Sequence, residues 1–224
     1  MPPASRPVGV LGGTFDPIHY GHLRPALEVL ELLDLAEVRF IPCRIPAHRD
    51  TPSISAEQRL ELVRLATAGQ PSFVADDREL RRPGPSYMVD TLASLREEIG
   101  VAPLCLIVGG DAFRELHTWR RWQELTDLAH LVVMQRPGAS QALLPPALED
   151  FIAPRVIQEP AALRGQPAGR VLFQPVTQLA ISATQIRRLL AQGQSIRYLL
   201  PEAALAYIHD RALYRSDASP TSAT

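Results

Sequence analysis

The chain has 224 residues, 46% hydrophobic and 21% charged, with a formal net charge of −1 at pH 7. That length fits one large domain on a single core. The balance of charge gives no general pull toward a nucleic-acid polymer or an anionic membrane, so any anion site must be a local cluster. No stretch approaches the roughly 20 continuous apolar residues of a membrane span, and MPPASRP at the N-terminus lacks the apolar run of a secretory leader. Cys43 and Cys105 stand singly in apolar surroundings, without the spacing of a metal site or a disulfide framework, and fit free thiols in a reducing cytoplasm.

In chain order, VGVL (8–11) is a short apolar run that predicts a strand, followed by the turn GGTFDP and a helix with Leu23, Leu27 and Leu30 on one stripe. VRFIP (38–42) predicts a second strand, and SAEQRLELVRLA (55–66) a helix opened by the capping box of Ser55 and Gln58. SFVA (72–75) is a weak strand, and Met88, Leu92, Leu95 and Ile99 mark a helix ending at Gly100. PLCLIVGG (103–110) has the strongest buried-strand pattern, and HLVVMQRPG (130–138) and RVLFQ (170–174) complete the strands. Between these last two, residues 137–170 predict a helix (143–151) and a loop. Beyond residue 181 two or three short helices are expected, and residues 216–224, with nothing apolar larger than Ala, predict a disordered tail.

Short apolar strands alternating with helices require crossover connections, hence a parallel sheet covered on both faces. The expected fold is a doubly wound, Rossmann-like α/β domain over residues 1–215, with a small helical part from about residue 181. In such sheets ligands bind beyond the carboxyl ends of the strands.

The first such turn carries Gly12, Gly13, Thr14 and Phe15, then His19-x-Gly21-His22. The glycines permit close approach of backbone, and a helix N-terminus favours phosphate. The third glycine of the dinucleotide fingerprint and the Lys-Ser/Thr of a Walker loop are both absent. Two histidines three residues apart face the same side of a helical turn, and Gly21 between them is read as space for a nucleotide. They fit hydrogen-bond donors to phosphate; a zinc pair lacks further ligands nearby, and two plain capping histidines are the third reading. The segment ISATQIRRLL (181–190) places Ser182 and Gln185 as a capping box, Thr184 in the first turn, and Arg187 and Arg188 behind it. Alone it reads as an ordinary capped helix or as an anion site. Together the two segments suggest a polyphosphate held between them.

GGTFDPIHYGH and ISATQIR, in order with PCRIPAHR, SYMVDTL, VGGDAF, LHTWRRW, QRPG and YLLP, resemble the nucleotidylyltransferase superfamily, and within it the nicotinate-nucleotide adenylyltransferases of bacterial NAD synthesis. The resemblance runs from residue 8 to about 214, with Ala47 and Arg49 standing where Pro and Lys are usual, and Ala183 where Ser is commoner. It implies that ATP and nicotinate mononucleotide react to give deamido-NAD and pyrophosphate, with Mg²⁺ held by substrate phosphates and water and no metal cage of protein ligands. It further implies that His19, His22 and Arg187 act in catalysis. Gly12, Gly13, Thr14, Phe15, Ser182 and Thr184 would join them around the ATP phosphates. Asp111 would hold the adenosine ribose and Arg136 would lie beside adenine, although a helix cap and a solvated arginine are equally open for these two. For the mononucleotide it implies His48, Arg49, Tyr87, Thr91 and a stacking Trp119, with Trp122 left to packing; for Tyr87 a half-buried aromatic at a helix start stays open. A cytoplasmic monomer or small homo-oligomer is expected. The rivals are another H-x-G-H nucleotidylyltransferase, such as the phosphopantetheine enzyme, and a noncatalytic nucleotide-binding module.

Overall fold

The structure is a computed structural model that describes residues 6–47, 51–136 and 144–214. His48, Arg49 and the expected tail at 216–224 lie outside the described residues.

Strand β1 (Val8–Gly13) leads into helix α1 (Tyr20–Leu32), then β2 (Glu37–Pro42) and α2 (Ala56–Thr67). The expected box closes α2: Ser55 Oγ accepts from the Gln58 N–H at 3.2 Å, and Gln58 Oε1 accepts from the Ser55 N–H at 3.1 Å. β3 (Phe73–Ala75), α3 (Arg78–Arg81) and α4 (Met88–Ile99) follow, α4 stopping at Gly100 with φ 61°, a left-handed value that glycine adopts without a Cβ clash. β4 (Leu104–Gly109), α5 (Gly110–Arg114), α6 (Leu125–Leu128) and β5 (His130–Gln135) come next. α7 (Pro146–Ile152), β6 (Val156–Ile157), β7 (Val171–Pro175), α8 (Ala183–Ala191) and α9 (Glu202–Asp210) complete the order.

The strands form one parallel sheet in the order β3-β2-β1-β4-β5-β7-β6. The expected strands are present, and β6 is an addition inside the region read as helix and loop. Two residues are too short for any periodicity to announce them. β1 also runs farther than expected. Gly12 and Gly13 pair with Ile41 and Pro42, so the glycines finish the strand and the turn begins at Thr14.

Alternation along the strands feeds two cores. Leu11, Phe40, Ile107, Val132 and Leu172 face one side, covered by α1, α2, α8 and α9. Val10, Ile41, Leu106, Val108, Leu131 and Val133 face the other, covered by α4, α6 and α7. Period-two alternation sends neighbours to opposite faces, which is how a continuous apolar run serves a sheet covered twice. The chain winds outward from β1 to β3, returns to β4 beside β1, steps out to β5 and then to the edge strand β6, and comes back to insert β7 between those two. The reversal leaves a crevice past the C-terminal ends of β1 and β4.

Candidate active site

A cleft of about 990 Å³ occupies that crevice, lined by Gly12, Gly13, Thr14, Phe15 and His22 from the first turn and by Thr184 and Arg187 from α8. Tyr87, at the start of α4, and Trp119 line it too. Residues more than 160 positions apart in sequence therefore face one volume. A Cβ at Gly12 would lie 2.3 Å from Met88 Cε, the far end of a flexible side chain that would have to swing away, so the Met88 methyl rests directly on the glycine. Phe15 turns the chain with φ 50° and packs its buried ring edge-on against His22 at 5.2 Å.

The two histidines do different things. The His19 N–H donates to His22 Nδ1 at 3.3 Å, so the neutral His22 ring carries its proton on Nε2. His22 is half-buried at the cleft wall. His19 is only 5% exposed and is absent from that wall, its ring 3.8 Å from His22 centroid to centroid. Burial lowers its pKa to about 4, which keeps it neutral near pH 7, and its Nδ1 is buried with no hydrogen-bond partner among the described residues. Gly21 is explained by this ring and by α8. A Cβ there would stand 2.9 Å from His19 Cε1 and Nδ1 and 3.0 Å from the Ile181 carbonyl oxygen. The missing side chain thus seats the histidine against the second anion segment, a different use from the space for nucleotide expected of it.

At α8, Ser182 Oγ accepts from the Gln185 N–H at 3.1 Å, which is the forward half of the expected capping box. Arg187 is anchored from behind, its Nη1 donating to the Asp16 carbonyl at 2.6 Å and lying 3.7 Å from Asp16 Oδ2. That contact ties the second jaw to the first.

A profile of cytidylyltransferase-like proteins matches residues 10–189. A Halorhodospira halophila protein named "Probable nicotinate-nucleotide adenylyltransferase" is 57% identical over 209 residues, covering 93% of this chain and 95% of its own length. A protein of the same name from Pseudomonas syringae pv. tomato is 51% identical over 219 residues, with 96% and 98% covered. The chain belongs to the nicotinate-nucleotide adenylyltransferase family. The fold agrees with that of Plasmodium falciparum nicotinic acid mononucleotide adenylyltransferase, with a TM-score of 0.71 at 15% identity over 93% of this chain and 97% of the other. For a protein described as a putative nicotinate-nucleotide adenylyltransferase of Vibrio parahaemolyticus the TM-score is 0.63 at 15% identity, with 94% and 96% covered.

Against the adenylyltransferase pattern, the other expected residues divide. Trp119 is half-buried at the cleft, while Trp122 packs edge-on Phe151 at 4.8 Å. The Tyr87 ring carries the Arg120 guanidinium 4.7 Å from its centroid, a cation–π contact that leaves the ring at the cleft wall. Thr91 is fully buried and does not line the cleft. Its hydroxyl donates to Glu79 Oε1 at 2.5 Å and accepts from Arg82 Nη2 at 2.5 Å. Asp111 is exposed in the first turn of α5, paired with Arg114, and the cap of that helix is Gly109. Arg136 is exposed just past β5 and donates to Gln178 Oε1 at 3.1 Å. Neither of these two lines the cleft as it stands.

Three polar residues that sequence reasoning passed over take part in the same architecture. Arg59, 1% exposed, donates to the Thr14 carbonyl at 2.7 Å and the Arg44 carbonyl at 3.1 Å, pinning the segments after β1 and β2 together. Glu79, 4% exposed, lines the cleft, and burial raises its carboxyl pKa. Asp16, 6% exposed, ties the first turn to three other segments. In sequence these read as one helix-face charge, one member of a charge run and one turn residue. Nothing local marks any of them.

Proposed function

We propose that the chain transfers the adenylyl group of ATP to the 5′-phosphate of nicotinate mononucleotide, releasing pyrophosphate and yielding deamido-NAD for NAD synthesis. The observation that carries this reading is the convergence of His22, Thr184 and Arg187 on one cleft that also presents Trp119 and Tyr87. The names of relatives at 57% and 51% identity support it.

In this reading an oxygen of the mononucleotide phosphate attacks the α-phosphorus. The bond from that phosphorus to the bridging oxygen of the β-phosphate breaks, and pyrophosphate leaves with the electron pair. The nucleophile is already an anion, so the protein needs alignment and charge stabilisation more than a base. His22 donates from Nε2 to phosphate oxygens that gain charge, and neutral His19 fixes its ring through the backbone N–H and the tilted imidazole packed against it. Gly12, Gly13, Thr14 and Phe15 form the backbone cradle, while Ser182, Thr184 and Arg187 hold the β- and γ-phosphates from α8.

Trp119 stacks on the pyridine ring and Tyr87 borders it. His48 and Arg49 take the mononucleotide phosphate; their described neighbours Ala47 and Thr51 line the cleft. Thr91 acts here through Glu79 and not by contact. Asp111 is assigned to the adenosine ribose and Arg136 to adenine on the family resemblance alone, since neither lines the cleft. Mg²⁺ arrives with ATP, held by phosphate oxygens and water. Among the described residues no cluster of His, Cys, Asp or Glu is built to hold a metal, and no helix is long and apolar enough to cross a membrane. Free Cys43 and Cys105 suit a reducing cytoplasm.

A pyrophosphate-release assay with ATP and Mg²⁺ tests the reading, comparing nicotinate mononucleotide, nicotinamide mononucleotide and phosphopantetheine. Turnover dominated by nicotinate mononucleotide is expected. Preference for phosphopantetheine, or binding of ATP without turnover on any of the three, would replace it.

A further inference from the structure

The profile match ends at residue 189, yet the chain beyond α9 returns to the first turn of the fold. Tyr214 Oη donates to Asp16 Oδ1 at 2.9 Å across 198 residues of sequence. The other carboxylate oxygen, Oδ2, accepts from the Ser53 N–H at 2.8 Å. The Asp16 main-chain carbonyl accepts from Arg187 Nη1 at 2.6 Å, and the same nitrogen lies 3.7 Å from Oδ2. One buried residue therefore meets the segment after β2, the arginine of α8 and the end of the described chain. Two residues earlier in the turn, the Thr14 carbonyl is held by Arg59.

The backbone that delivers Tyr214 is unfavourable by itself. Ala212 has φ 50° and Tyr214 φ 62°, both left-handed and neither glycine. Such residues are strained and persist where surrounding contacts over-determine them. Here the contacts are Leu213, buried at 8% exposure with its N–H on the Ile208 carbonyl at 3.0 Å, and the Tyr214 hydroxyl on Asp16. Burial and the Asp16 charge both raise the Tyr214 hydroxyl pKa, opposed by Arg187 and Arg59, so the phenol stays a donor. A hydroxyl brought to a buried carboxylate by a strained backbone does more than cover apolar surface.

We propose that Tyr214, acting through Asp16, is a positioning residue for Arg187 and for the phosphate-binding turn, so that the segment after α9 is a working part of the site. The inference rests on the adenylyl-transfer reading for which substrate Arg187 meets. The alignment itself, Tyr214 to Asp16 to Arg187, stands on geometry. If Tyr214 only packed, its hydroxyl would affect stability alone. If it positions Arg187, its loss disturbs the triphosphate end of the cleft and leaves the pyridine end as it was.

The test uses the full chain with Tyr214→Phe, Asp16→Asn and the double variant. Calorimetry measures binding of α,β-methylene-ATP, a non-reacting probe, and steady-state assays give kcat and both KM values per folded molecule. Removing one hydrogen bond to a charged group should weaken binding of the ATP analogue about 10-fold in Tyr214→Phe. The KM for nicotinate mononucleotide should change clearly less, within about twofold, because Tyr214 bonds Oδ1 whereas the segment of His48 and Arg49 is tied to the other oxygen, Oδ2, through the Ser53 N–H. In the double variant the loss should match that of Asp16→Asn alone, because both changes cut one chain of contacts. A Tyr214→Phe enzyme that melts lower but binds the analogue and turns over like the wild type overturns the proposal, as do equal losses toward both substrates or additive losses in the double variant. Should Asp16→Asn fail to fold, the Tyr214→Phe split decides alone. Wild-type turnover is scored separately: a wild type that binds the analogue without using nicotinate mononucleotide removes the assigned reaction, while the binding arm still judges the positioning role.

Discussion

His130 and His19 are both buried, at opposite ends of the same sheet, and their ring nitrogens meet opposite fates. At the N-terminal end of β5, His130 Nε2 lies 2.9 Å from the Gln166 carbonyl and its Nδ1 accepts from the Arg170 N–H at 3.0 Å, so both nitrogens are used in closing a loop onto the sheet. At the C-terminal end of β1, His19 leaves Nδ1 buried and unpaired among the described residues, one ring away from the cleft. Buried polar groups are normally satisfied, and an orphan needs an explanation. At the closed end the polar atoms complete one another and stability is the result. At the open end the His19 ring is the N-cap side chain of α1, packed behind His22 and not on the cleft wall, so what it gives is the setting of the His22 ring that does face the cleft.

The sharpest way to break the contrast is to remove the donor at the open end. His22→Ala should lower kcat roughly 10²–10³-fold, the usual loss when one preorganised donor to developing charge is deleted. KM for ATP should move only a few-fold, because the charge His22 meets grows in the transition state. Steady-state pyrophosphate release measures both, and equal losses in kcat and ATP affinity would reduce His22 to a ground-state phosphate contact.

Trp119→Ala probes the other wall of the same cleft with a smaller change. Aromatic stacking contributes about 0.5–1.5 kcal/mol beyond area burial, so KM for nicotinate mononucleotide should rise about 3- to 10-fold while kcat at saturation holds. An unchanged KM would move the pyridine ring away from Trp119. The pairing of this result with His22→Ala separates binding at one end of the cleft from chemistry at the other.

How much of this was readable beforehand follows the range of the interactions. The strand-turn-helix of the first turn, the Ser55 box and the Gly100 stop are local, and their residues carry the signal within a few positions. The sheet order follows from alternation and crossover rules, except for β6, whose two residues hold no period. Glu79 lies in DDRELRR, a run that reads as a solvated face, and only the packing of α3 under Thr91 buries it. The role of Gly21 depends on Ile181, and that of Asp16 on Tyr214; both are contacts over more than 150 residues that no window of sequence contains. Paired motifs pointed to the cleft, whereas the residues that hold its walls together became visible only in three dimensions.

The smallest expected effect bears on the two histidines together. Burial lowers both pKa values, His19 from 6.5 to about 4, and for His130 it outweighs the opposing pull of the Gln166 carbonyl. In the unfolded chain each titrates near 6.5, so below that pH the unfolded state binds more protons. The contribution of a neutral buried ring is therefore complete above about pH 6.5 and falls away on acidification, for His19 over the window down to about 4. Each histidine can add at most about 1.4 kcal/mol per pH unit to that slope. Urea unfolding of the ligand-free protein at pH 7 and pH 5 should give a shallower fall for His19→Gln and for His130→Gln than for the wild type. At pH 7, His130→Gln should lose about 1–2 kcal/mol of stability by breaking a buried two-sided hydrogen bond, with kcat per folded molecule retained. His19→Gln should instead lose kcat, since the ring that supports His22 is gone. If the two variants lost activity alike, the closed and open ends of the sheet would not differ in function, and the unpaired Nδ1 of His19 would be a packing feature only.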